Sequence, residues 1–153
     1  MNISIGSDHR GVDIKTRISK LLESMGHTID DCGAYSSDSC DYPDIAHGVA
    51  AKIASGDSQR GILICGSGIG MSIAANKTEC VRAALCHDAH AAEMSRRHND
   101  ANVICLSADH LETLSEDDFN GVITTWMTTE FEGGRHQRRV DKITSGVKPA
   151  CHE

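Results

Sequence analysis

The sequence predicts an α/β fold in which a parallel sheet is covered by helices on both faces. Strand-like apolar runs alternate with helix-like stripes along the whole chain, the pattern of successive βα units. The central run, Ile62-Leu63-Ile64, is continuously apolar, as a strand buried on both faces must be. It then passes through Cys65-Gly66-Ser67-Gly68-Ile69-Gly70 straight into a helical pattern, where the glycines allow a sharp turn with exposed amides.

The elements follow in order. A strand is expected at 2–7. Ile14, Ile18, Leu21, Leu22 and Met25 then form a stripe with the spacing of one helix face, stopped at Gly26. A second strand falls near 28–32, and a second helix carries Ile45, Val49 and Ile53 before Gly56. The third strand is 61–65, followed by a helix over Gly70 to Asn76. Fourth and fifth strands fall near 81–86 and 102–106. The polar stretch SRRHNDAN (95–102) between them is read as placing His98 and Asn99 in a loop. Ser115, with Asp118 three residues on, resembles a capping box opening a helix striped by Phe119, Val122, Ile123, Trp126 and Met127. A last short helix covers Arg135–Thr144. These stripes are core, not cofactor boxes.

Composition narrows the classes. At 153 residues the chain fits one domain, taken as 1–146, with a flexible tail over 147–153. A net charge of −7 argues against a nucleic-acid binder, despite the locally basic GGRHQRR. No apolar run approaches the roughly 20 residues a membrane-spanning helix needs, and Met1 leads directly into a strand, so the expected location is cytoplasmic with no membrane partner. Seven cysteines, an odd number without a CxxC pair, suggest neither a disulfide framework nor a zinc ribbon. Cys86 and Cys105 lie in apolar runs and read as core residues.

In an open parallel sheet, ligands bind beyond the carboxyl ends of the strands where the strand order reverses. The first strand ends in GSDHRG (6–11) and the third at Cys65, so if these strands are neighbours, Asp8, His9 and Cys65 share one crevice. The amides after Cys65 would suit a negative oxygen. Cys65 itself reads as a nucleophile, a general base or an inert buried thiol, and a donor-rich loop would favour its thiolate. A cysteine phosphatase would need an arginine six residues on, where this chain has Met71. A dinucleotide site would need GxGxxG after the first strand, whereas GSGIG follows the third and is one residue short.

His98 is either an idle loop histidine or an acid/base suited to neutral pH. His87, His90 and Glu93 fall at i, i+3 and i+6 on an expected helix, but zinc needs a further well-placed ligand, and a solvated face explains the set better; no metal is expected. Arg135 and Arg139, at i and i+4, could grip one phosphate or form a solvated basic face.

Together DHRG, DYPDIA, GILICGSGIGMSIAANK, HNDAN and EGGRHQRR, in this order over roughly residues 3–144, resemble the ribose-5-phosphate isomerase B family, whose relatives include galactose-6-phosphate isomerase subunits. The resemblance implies a three-layer α/β/α sandwich on a five-stranded, Rossmann-like parallel sheet, and a homodimer whose active sites draw on both chains. It implies a cofactor-independent exchange of aldose and ketose phosphates in the pentose phosphate branch of carbohydrate metabolism. Cys65 matches the base that moves a proton between C2 and C1. Another branch uses a glutamate where Met71 stands, so the chain resembles the cysteine branch. Gly66, Ser67, Gly68, Ile69 and Gly70 match the loop that stabilises the enediolate, with Ser67 aiding proton movement between O1 and O2. His98 matches the ring-opening acid/base and Asn99 a sugar contact. Asp8 and His9 match the substrate-binding pair, Tyr42 a residue near the sugar, and Arg135 and Arg139 the phosphate clamp.

One position departs from the pattern: Asp109 stands where the family usually has a phosphate-binding arginine. Arg10, His110 or His136 would have to compensate, or the substrate would differ. The expected reaction is the interconversion of ribose 5-phosphate and ribulose 5-phosphate. The runner-up is a hexose 6-phosphate isomerase acting on allose or galactose 6-phosphate. From other classes, the rivals are a catalytically silent sugar-phosphate binder and, more weakly, a metal-binding protein using His87 and His90.

Overall fold

A computed structural model describes residues 1–145; the expected tail over 147–153, with Cys151, lies outside the described residues. The chain alternates β1 (Asn2–Ser7), α1 (Val12–Ser24), β2 (Thr28–Asp31), α2 (Tyr42–Ser55), β3 (Arg60–Cys65), α3 (Ile69–Ala75), β4 (Ala83–Leu85), α4 (Ala89–Asn99) and β5 (Val103–Ser107). It ends in α5 (Ala108–Leu111), α6 (Glu116–Thr128) and α7 (Arg135–Ser145). The five strands form one parallel sheet in the order β2-β1-β3-β5-β4. From β1 the chain first builds outward to β2 and then returns to place β3 on the other side of β1. The reversal therefore lies between β1 and β3, where Ser7 pairs with Ile64.

Strand alternation divides the core in two. Ile62 and Ile64 of β3, with Ile104 and Leu106 of β5, face Ile14, Ile18, Leu22, Phe119, Val122, Ile123 and Trp126 from α1 and α6. Leu63 and Cys65, with Val103 and Cys105, face Ala46, Val49, Met71 and Ala75 from α2 and α3. The result is the three-layer α/β/α sandwich that the sequence led us to expect. Burial pushes the Cys86 thiol up to about 11 and the Cys105 thiol up as well, so both stay protonated at neutral pH, as core cysteines should.

Three expectations need correction. His98 and Asn99 are not in a loop: α4 runs through Asn99 and ends at Asp100, which adopts a left-handed conformation. Arg96 secures this end by donating Nη1 hydrogens to Asp100 Oδ1 at 2.9 Å and Ala101 O at 2.7 Å. His87 does not share a helix with His90 and Glu93, because Asp88 caps α4 with its side chain accepting from Ala91 N at 2.7 Å. The fourth strand is shorter than expected, since Val81 N turns back to Thr78 O and the side chains of Asn76 and Asn102 take the amides of Ala83 and Arg82.

Candidate active site

Cys65 ends β3 on the face covered by α2 and α3, 5% exposed. The Gly68 amide donates to its Sγ at 3.1 Å, so the loop's backbone is turned toward the sulfur. Gly68 has φ +75°, and a Cβ there would lie 2.9 Å from the backbone carbon of Leu106, so only glycine turns the chain here. The loop is pinned through the Gly66 carbonyl, which accepts from Ser107 Oγ at 2.7 Å and Asp109 N at 3.2 Å. Among the described residues the amides of Gly66, Ser67, Gly70 and Met71 have no hydrogen-bond partner, leaving donors for an oxyanion. Ser67 is exposed, its Oγ accepting from Ile69 N at 3.3 Å. The Tyr42 ring, at the start of α2, packs so closely on Gly70 that an added Cβ would sit 2.5 Å from it.

Because β1 and β3 are neighbours, the first strand's end reaches the same crevice, as anticipated. Asp8 is buried, its amide donating to Ile64 O at 2.9 Å and its Oδ1 accepting from Arg10 N at 2.9 Å. His9 Nδ1 accepts from Cys40 N at 3.4 Å. Arg10 Nη2 donates to Asp109 Oδ1 at 2.6 Å.

The remaining candidates gather elsewhere. His98, on the last turn of α4, stacks on His136 of α7 with ring centroids 4.2 Å apart and planes within 5°. Arg135 Nε donates to His136 Nε2 at 3.3 Å, which leaves that nitrogen unprotonated. Burial, then the neighbouring His98 and Arg135, hold the His136 pKa below its usual value. Arg135 and Arg139 are exposed and form no ion pair among the described residues. This group sits at the opposite edge of the sheet from Cys65. Cys65 pairs with Ser107 at the end of β5, whereas His98 precedes its first residue, Val103. Four residues of strand separate those levels, about 13 Å. The carbonyls of Asn99 and Asp100 are likewise taken by Arg82 at the foot of β4. One chain thus brings Asp8, His9, Tyr42, Cys65 and residues 66–70 together, and separately His98, Asn99, Arg135 and Arg139.

Ligand atoms of His98, Glu132 and His136 lie within 4.8 Å of one another. They fit a metal poorly, because Arg135 occupies His136 Nε2 and Arg97 Nη2 holds Glu132 Oε2 at 3.1 Å. Among the described residues His87, His90 and Glu93 form no such group. Sequence reasoning missed His136 as the partner of His98, and it named Arg10 only as one of three groups that could compensate for Asp109, without the direct Arg10–Asp109 ion pair. That pair spans 99 positions, and no local pattern marks it.

Residues 3–143 match the model of a family described as Ribose/Galactose Isomerase. The chain belongs to the ribose/galactose isomerase family. Among solved structures it is similar to the ribose-5-phosphate isomerase B of Clostridium thermocellum, at 44% identity over 95% of this chain and 96% of that one, with a TM-score of 0.90. It is also similar to the Mycoplasma genitalium ribose-5-phosphate isomerase B solved with bound ribulose-5-phosphate, at 41% identity, 95% coverage of each chain and a TM-score of 0.87. A further relative is a D-erythrulose-4-phosphate isomerase of Pectobacterium atrosepticum, 41% identical over 94% of this chain and 93% of that protein. The resemblance carried by DHRG, GSGIG and HNDAN is thereby borne out. Within this isomerase family, no helix of the described residues is long and apolar enough to cross a membrane.

Proposed function

We propose that this isomerase interconverts ribose 5-phosphate and ribulose 5-phosphate, with Cys65 as the base. The observation carrying this reading is the sulfur at the mouth of the glycine loop, met by the Gly68 amide and flanked by unpartnered amides. Cys65 Sγ takes the proton from C2 of the open-chain aldose, and the electron pair moves through C1 to O1, giving an enediolate. Returning the proton to C1 while C2 becomes the carbonyl completes the ketose, with no net oxidation and no cofactor required. A proton α to a carbonyl is too weakly acidic for a thiolate unless the developing oxyanion is stabilised, and one such donor is worth about 10²–10³ in rate. The loop amides supply that stabilisation, and Ser67 passes a proton between O1 and O2.

His98 opens the sugar ring, Asn99, Asp8, His9 and Tyr42 hold the hydroxyls, and Arg135 and Arg139 take the phosphate. Because these groups occupy opposite edges of one sheet, the working unit is a homodimer in which the partner brings His98 and the arginines to Cys65. Ile69 and Ile73, 53% and 58% exposed on α3 beside the loop, provide an apolar surface for that partner. The setting is cytoplasmic pentose phosphate metabolism.

The test is ketose formation from ribose 5-phosphate in the presence of chelator, comparing wild type with Cys65→Ala and offering erythrulose 4-phosphate, allose 6-phosphate and galactose 6-phosphate alongside. Wild type is expected to prefer the pentose, and Cys65→Ala to lose about 10³-fold in kcat. Retained activity in the variant, or preference for another sugar, would contradict the respective half of the proposal.

A further inference from the structure

We propose that Arg10 is a substrate-anion contact of the Cys65 half-site, and that Asp109 is its positioning residue. Three observations carry this. The Arg10 guanidinium lies across Gly66, where an added Cβ would sit 2.9 Å from Nη1 and 3.1 Å from Cζ. Its Nη2 donates to Asp109 Oδ1 at 2.6 Å, with both side chains 55% exposed. Both ends of the pair are anchored to the site: Arg10 N donates to Asp8 Oδ1, and Asp109 N to the Gly66 carbonyl.

An exposed ion pair by itself contributes little, about 0–1 kcal/mol, so stability does not explain the arrangement. A guanidinium has five N–H donors in a planar fork. One contact to Asp109 leaves Nη1, which lies beside Gly66, and Nε without a hydrogen-bond partner among the described residues and so open to a phosphate. Of the groups able to offset the acidic Asp109, only Arg10 meets it. His110 turns its Nε2 to His87 O at 2.8 Å, and His136 is stacked on His98 at the other edge of the sheet. Asp109 therefore acts by holding the cation over the glycine loop rather than by repelling the substrate. This rests on the isomerase reading for the identity of the anion, a sugar phosphate.

The experiment compares wild type, Arg10→Ala, Asp109→Ala, Asp109→Asn and the Arg10→Ala/Asp109→Ala double variant. It reads KM and kcat for ribose 5-phosphate and, independently of turnover, the affinity for inorganic phosphate by calorimetry. Arg10→Ala is expected to raise KM and weaken phosphate binding about tenfold with kcat little changed. Asp109→Ala should weaken both in the same direction. Asp109→Asn, which keeps an acceptor for Nη2, should restore them, and the double variant should be no worse than Arg10→Ala alone. Unchanged phosphate affinity in Arg10→Ala overturns the proposal, as does tighter binding in Asp109→Ala. If wild type fails to turn over ribose 5-phosphate yet Arg10→Ala still weakens phosphate binding, the sugar assignment fails and the anion contact stands.

Discussion

His136 shows how a residue can be visible in a sequence and still be misjudged there. It lies inside the basic run GGRHQRR and reads there only as one of the groups that could compensate for Asp109, yet it is 3% exposed and stacked on His98. Nothing local signals that burial, because α4 supplies the covering ring. Burial first, then His98 and Arg135, lower its pKa. A lowered value in the folded state means that protonation favours unfolding. The contribution is complete above the free histidine value of about 6.5 and is lost as pH falls from there through the folded value. Wild type is expected to lose Tm more steeply across that window than His136→Gln; parallel curves of Tm against pH would contradict this. Cys65, by contrast, was legible from the sequence, since an apolar strand, a cysteine and a glycine turn adjoin one another and their geometry is set by neighbours in the chain.

At the level of elements, apolar period placed nearly every strand and helix, and it failed where polar residues do the structural work. The end of α4 looked like a loop because SRRHNDAN has no apolar stripe. Its helix is held by Arg96, buried and bonded to Asp100 and Ala101, and by the Asp88 cap. The cap of α6 was readable: Ser115 Oγ accepts from Asp118 N at 3.1 Å, although its hydroxyl donates to Asp118 Oδ2 at 2.7 Å in place of the reciprocal bond to backbone. The two kinds of position separate in a paired experiment. Ser115→Ala should cost about 1 kcal/mol in denaturant unfolding with activity retained. Gly68→Ala, which must displace the Leu106 backbone and the amide facing Cys65, should lower kcat/KM about 10²-fold. Equal activity in the two variants would contradict the role given to the loop.

At the scale of the whole molecule, the parallel sheet separates the chemistry of one chain. Every strand ends at the Cys65 edge, and α4 returns the chain to the opposite edge before β5 begins, which carries His98 away from the sulfur. A strand order of β2-β1-β3-β5-β4 was not readable from local pattern, because it is decided by which faces pack together. The sequence resemblance implied a shared site, and the proposed roles of Cys65, His98, Arg135 and Arg139 require one, because a single protomer holds these groups at opposite ends of its strands. The most direct test is complementation. A Cys65→Ala chain and a His98→Ala/Arg135→Ala chain, each inactive as a homodimer, are co-expressed with different tags and assayed on ribose 5-phosphate. Random pairing makes half the dimers mixed with one intact site in each, so about a quarter of wild-type activity is expected to return. No recovery in purified mixed dimers would contradict a site assembled from two chains.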